Sequence, residues 1–153
     1  MIPLVVESGH IGFAPNYKKQ IEILGVLSDN FERVSVERLL SGSGIENIYW
    51  ALHTLRGDTR KEMTAADIFR AASDGSDAVA ADATQLFYEI LGQVAGDIAL
   101  VLGAQDGVYL AGGIVKRYPE MLHISGFRNA FENKGHHRPM MERIPTRLIT
   151  YGE

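Results

Sequence analysis

The chain has no cysteine, one tryptophan, five prolines and no excess of positive charge. Without thiols there can be neither a disulfide framework nor a thiolate metal site, and the redox compartment stays open. Lysine and arginine total 15 against 19 aspartates and glutamates, a net charge of −4, which argues against nucleic acid because phosphate binding needs a basic face. The nearest thing to a basic patch, Lys134-Gly135-His136-His137-Arg138, reads as a solvated loop. The short apolar run at residues 2–6 lacks a basic n-region, so no secretory signal is expected and a cytoplasmic location is the default. One stretch, residues 90–102, is apolar enough to raise the question of a bilayer span. Glu89, Gln93 and Asp97 recur along it, and charge in mid-span is costly. It reads as a buried helix, with no membrane partner expected.

What is present is an ordinary globular mix, 46% apolar and 22% charged over 153 residues, enough for one domain with a hydrophobic core. Residues 2–6 read as a strand, with 11–13 as its continuation. Residues 18–27 carry Ile21, Leu24 and Leu27 at helical spacing. Ser35 is placed to cap a helix carrying Glu37, Leu39 and Leu40, and Ser41-Gly42-Ser43-Gly44 then breaks the chain before a helix of Ile45, Ile48, Tyr49 and Leu52. Residues 56–63 read as a polar loop, and Thr64 as the cap of a helix containing Ile68 and Phe69. Asp74-Gly75-Ser76-Asp77 caps the longest element, residues 78–102, roughly 37 Å long at 1.5 Å per residue. Val79, Ala83, Leu86, Phe87, Ile90, Leu91, Val94, Ile98 and Val101 mark its apolar side. Gly92 and Gly96 share a face within it, each costing about 1 kcal/mol against alanine, which points to close approach of another backbone, the alternative being two tolerated glycines. Strands follow at 108–111 and 146–151, with a short helix at 127–132 and a polar loop at 133–139. This order predicts an α/β fold with helices packed on a mixed sheet.

Three segments could carry chemistry. In Glu7-Ser8-Gly9-His10 a carboxylate that accepts hydroxyl protons stands near an imidazole that donates or accepts, which suits a polyol. Gly9 would allow close backbone approach or positive φ, while a merely capped turn explains the same residues. Glu37, ahead of Ser41-Gly42-Ser43-Gly44, is equally explained by a helix N-terminus. Leu110-Ala111-Gly112-Gly113-Ile114 runs a strand into two glycines, where a nucleotide could lie against backbone, or where packing alone could require them. His136 and His137 are adjacent, so on a regular element they point to different sides, and no metal is expected there. Ser41 and Ser43 lack the G-x-S-x-G context of an acyl-transfer nucleophile.

Taken in order, the segments resemble the bacterial glucokinase family of the actin-like sugar-kinase superfamily. The matching pieces are Glu7-x-Gly9-His10 with Phe13-Ala14-Pro15, then Glu37-Arg38-Leu39-Leu40-Ser41-Gly42-x-Gly44 with Asn47-Ile48-Tyr49. Gly96-Asp97-Ile98-Ala99-Leu100, the run from Gly107 to Ile114, the run from Ser125 to Gly135, and Ile144-Pro145 complete the series. The resemblance implies a ribonuclease-H-like, actin-like large domain, with residues 1–153 as its C-terminal portion. It implies that Glu7 and His10 hold glucose hydroxyls near the anomeric end, that Glu37 closes on the same sugar, and that Gly112 and Gly113 form the adenosine side of an ATP cleft. Mg²⁺ would accompany ATP, a homodimer or self-association through uncovered edges is expected, and the cysteine-dependent zinc loop of related proteins is excluded. The family's catalytic Asp follows an Asn and its first phosphate loop reads Asp-x-Gly-Gly-Thr; neither pattern occurs here. The base is therefore expected upstream, and the chain alone is expected to bind rather than to phosphorylate. Ser8, Gly12 and Ser43 replace a usual glycine, acid and proline. A non-catalytic sugar-binding module and a ligand-free structural remnant are the alternatives.

Overall fold

The computed structural model describes residues 5–58 and 62–151. The expected first strand lies partly outside these residues; its described end, Val5 and Val6, is exposed and has no regular structure. Residues 59–61 of the polar loop also lie outside them. The chain divides into two compact units, residues 1–84 and 85–153.

The first unit is helical. Helix α1 (Lys18–Ser28) starts where the buried Gln20 side chain accepts the amide proton of Asn16 at 2.8 Å. Helix α2 (Gly42–Leu55) packs against α1 and against α3 (Ala65–Asp74). Its buried face is Ile45, Ile48, Tyr49 and Leu52, the 3.6-residue repeat visible in the sequence. Thr64 caps α3 through the Asp67 amide, as its position predicts. Asp77 caps α4 (Ala78–Leu102) by accepting from the amides of Val79 and Ala80 at 2.8 and 3.1 Å.

Asp77 also accepts the Tyr49 phenol proton at 2.8 Å. Burial first, and then the bond to this carboxylate, push the Tyr49 pKa up to about 12. An unfolded tyrosine ionises near pH 10, so the stabilisation from Tyr49 is complete below about pH 10 and is lost as pH rises towards 12. Tyr49→Phe should therefore flatten the fall in stability across that window, measured by urea unfolding at several alkaline pH values. An unchanged slope would show that Tyr49 ionises as it does in the unfolded chain.

The rest of α4 runs through the second unit. The helix is long and apolar enough to cross a bilayer, yet Leu86, Phe87, Tyr88, Ile90 and Val94 are buried in protein. Val101, assigned to the apolar side by period, is instead 84% exposed, and its neighbour Leu100 takes the place against the Phe131 and Met141 core. Gly92 and Gly96 meet another backbone, that of α7 (Phe127–Glu132), as their spacing predicts. Ala95, Ala99, Phe131, Met141 and Ile144 form the core beside them.

The sheet is smaller than the pattern predicts. Among the described residues it has two strands, β1 (Val108–Leu110) and β2 (Thr146–Leu148), parallel and in register Val108↔Thr146 and Leu110↔Leu148. It is not mixed, because each strand finds a single partner. The crossover between them carries α5 (Gly113–Arg117), α6 (Met121–Ile124), α7 and α8 (Arg138–Met141). The expected loop at 133–139 is in fact a 3₁₀ turn, Gly135–His137, leading into α8, whose start holds Pro139; proline fits a first helical turn, where its missing N–H costs no bond. Helices dominate, and the fold is a helix-rich α/β arrangement.

Candidate functional site

Glu7 precedes and His10 ends a 3₁₀ turn at Ser8–His10, and Glu37 sits in a second at Val36–Arg38. A short antiparallel clip joins the two segments. Gly12 bridges Ser35, Phe13 N–H donates to Val34 O at 3.0 Å, and Val36 N–H donates to Ile11 O at 2.9 Å. The clip brings together residues far apart in the chain. His10 Nε2 lies 3.3 Å from Glu37 Oε2, and His10 Nδ1 lies 3.8 Å from Glu7 Oε2.

The imidazole thus stands between two carboxylates, and all three side chains are more than half exposed. Contacts this exposed contribute at most about 0–1 kcal/mol, whether or not the imidazole carries a charge. A ligand that brings its own hydroxyls can therefore replace them at little cost. His10 and Glu37 open on a cavity of about 370 Å³, lined also by Arg33, Ser35, Arg38, Ser41 and Ser43, with Glu7 outside its lining. A carboxylate acceptor, an imidazole and hydroxyls converging on open space suit a polyhydroxyl ligand.

Two local readings change. Ser35 makes no side-chain capping bond, and the turn it precedes stops at Arg38. The true cap is Ser41, whose Oγ accepts the Gly44 amide at 3.0 Å and donates to Glu37 O at 2.8 Å. Glu37 therefore stands on a three-residue turn, not at the N-terminus of an α-helix, and the dipole account of this residue fails. Gly9 has negative φ, and a Cβ there would meet only Glu37 Cβ at an ordinary 3.8 Å; neither close approach nor positive φ requires it.

Arg33 carries no motif signal. Its Nη1 donates to the His10 carbonyl at 2.6 Å, across 23 residues of chain. Arg38 anchors the second turn differently, with its guanidinium 4.4 Å from the Phe31 ring centre and its carbonyl accepting from Asn47 at 2.9 Å.

Gly112 and Gly113 belong to the second unit. Gly112 adopts φ 136° and ψ 156°, a region open to glycine alone, and turns the chain from β1 into α5. A side chain on either glycine would meet nothing within 4 Å, so the backbone there faces open space. His136 and His137 do not diverge as regular elements would have them: the 3₁₀ turn sets their ring centres 4.1 Å apart. Among the described residues no group of three or more histidines and carboxylates could hold a metal ion. A second cavity, about 650 Å³ between α2 and α3, includes Glu46, Asp67 and Arg70. Glu46 is engaged in capping Ala65 at the start of α3, and Asp67 is paired with Arg70.

Residues 1–153 match the Glucokinase family model throughout. Glucokinases from Marinobacter nauticus and Hahella chejuensis are 43% and 40% identical over 97% of this chain. The crystal structure of a glucokinase from an Antarctic psychrotroph is similar over 97% of the chain, with a TM-score of 0.93 and 34% identity. That of a glucokinase from Balamuthia mandrillaris in complex with glucose has a TM-score of 0.74 over 98% of the chain at 19% identity, a likeness of fold. The chain covers 46% of the first three proteins and 44% of the fourth, so it spans about half the length of the relatives it matches. On the strength of the full-length family match, this chain belongs to the glucokinase family.

Proposed function

We propose that the chain supplies the sugar-binding and adenosine-side residues of an ATP-dependent glucokinase, which moves the γ-phosphoryl group of ATP to the 6-hydroxyl of glucose. The observation that carries this is His10 held between Glu7 and Glu37 at the mouth of an open cavity. Glu7 and Glu37 accept hydroxyl protons, His10 orients a third hydroxyl, and together they hold the sugar rather than activate it. Phosphoryl transfer relies on positioning and on charge stabilisation, and the base would come from an Asp that no Asn-Asp pair here provides. The open backbone at Gly112-Gly113 fits a flat adenosine. ATP brings the transferable phosphoryl group, and Mg²⁺ on its phosphates would neutralise the charge that develops there.

The same reading makes residues 1–153 the C-terminal part of an actin-like, ribonuclease-H-like large domain, working in the cytoplasm as a homodimer without nucleic-acid or membrane partners. Calorimetric titration of glucose into the chain tests it. Glu37→Gln keeps the shape and an acceptor but loses the charge, a difference of about 1–1.5 kcal/mol, so binding should weaken by roughly five- to tenfold. Equal affinity in the variant would remove Glu37 from the site. A coupled ADP-release assay with MgATP should show no appreciable turnover by the chain alone, and ordinary kinase rates would overturn the division of labour. A non-catalytic sugar-binding module would bind glucose in the same way yet stay inactive with every complementing segment.

A further inference from the structure

The backbone clip that seats the sugar site stops at Ile11 and Val36, one residue short of His10. The next rung is a side chain, Arg33 Nη1 donating to the His10 carbonyl at 2.6 Å. The turn packs against the Val36–Arg38 turn, but among the described residues no other hydrogen bond joins residues 8–10 to a distant segment. None of Ser8, Gly9 and His10 is buried, and residues 5–7 are exposed. The turn's own bonds, His10 N–H to Glu7 O and Ile11 N–H to Ser8 O, are local. They set its shape but not its position against Glu37.

We propose that Arg33 is a positioning residue of the sugar site, pinning the His10 carbonyl so that the imidazole stays 3.3 Å from Glu37. The inference rests on the proposed glucose site and gives Arg33, on the wall of its cavity, the task of holding the His10 carbonyl. Arginine suits the task because its guanidinium stays charged at any working pH and gives a directional, charge-assisted bond. Among the described residues this is the one hydrogen bond Arg33 makes, and its side chain is exposed. Removing it should loosen the turn while leaving the helical core as it is. A turn held ready before the sugar arrives spares binding the cost of ordering it.

Arg33→Met keeps the aliphatic stem and removes the donors, while Arg33→Lys keeps a charged donor. In the glucose-free chain, the ring proton signals of His10, assigned by their loss in His10→Gln, should move towards free-histidine positions in Arg33→Met and partly return in Arg33→Lys. The methyl signals of Ile23 and Ile48 in the α1–α2 core should stay in place. Glucose should bind about three- to tenfold more weakly to Arg33→Met, with Arg33→Lys between. Unmoved His10 signals overturn the proposal, and so does a joint shift of the core methyls, which would make Arg33 a general stabiliser. Should the unaltered chain bind no glucose, the sugar reading falls. The His10 signals still decide by themselves whether Arg33 holds the turn.

Discussion

Gly92→Ala should destabilise the second unit by about 3 kcal/mol or more, at the upper end of what overpacking costs. A Cβ at this position would lie 2.0 Å from Phe127 O, 2.8 Å from Phe127 C and 3.0 Å from Phe127 Cα. All three are backbone atoms of α7, so no side-chain rotation relieves the clash and the two helices must separate. Alanine would return about 1 kcal/mol of helix propensity, too little to offset the overlap. At about 2–4 °C per kcal/mol for a chain of this size, the melting temperature should fall by roughly 6–12 °C. Gly96 repeats the arrangement one turn on, where a Cβ would sit 2.6 Å from Phe131 O and from Lys134 Cε. That lysine cannot simply swing away, since its ammonium donates to Gln93 O at 3.0 Å and pairs with Asp97 at 2.7 Å. Gly25→Ala in α1 is the control, because a Cβ there meets nothing within 4 Å; it should stabilise by up to about 1 kcal/mol. If urea unfolding gives both variants the same change, close helix packing is not why Gly92 is glycine.

Arg128→Met should cost about 2–4 kcal/mol, because one guanidinium satisfies five acceptors. Nη1 donates to Ile144 O at 2.8 Å and to Thr146 Oγ1 at 3.3 Å, while Nη2 donates to Met141 O at 3.1 Å and Glu142 O at 3.0 Å. Nε donates to Glu132, whose carboxylate is largely buried and otherwise meets only Arg138 Nη1, at 3.5 Å, among the described residues. The arginine thereby ties α7 to the segment that ends α8 and enters β2. Methionine fills similar space but leaves four acceptors short of a donor and Glu132 short of its main partner. Lysine offers no planar fork, so Arg128→Lys should recover less than half of the loss. Hydrogen exchange should quicken at Thr146–Leu148 before it does in α4. Protection there as high as in the unaltered chain would show that β2 holds without the tie.

Much of this was legible in local pattern. Asp77, followed by an apolar repeat, marked α4 at both ends; Thr64 announced its cap; Phe127–Glu132 emerged as predicted; and the shared face of Gly92 and Gly96 pointed to a neighbouring backbone. Each rests on period or capping, which neighbouring residues encode. The start of α8 was legible too, in Pro139, but the surrounding polarity obscured it. The role of Ser35 was misjudged because the segment after it is only a three-residue turn, while Ser41 caps α2 by accepting the Gly44 amide.

Sequence alone determined the longer helices, the buried face of α2 and, through ordered motifs, the family resemblance that singled out Glu7, His10 and Glu37; in α1 it named Ile21, which is exposed, where Ile23 is buried. Tertiary structure decided that His10 stands beside Glu37, that Arg33 reaches the His10 carbonyl, and that β1 and β2 pair in parallel. The reason is physical. Periodicity records which side of an element avoids water, and caps record where it begins. Backbone N–H and C=O groups are the same at every residue but proline, so the pairing of Gly12 with Ser35 that assembles the site leaves no mark on residue type.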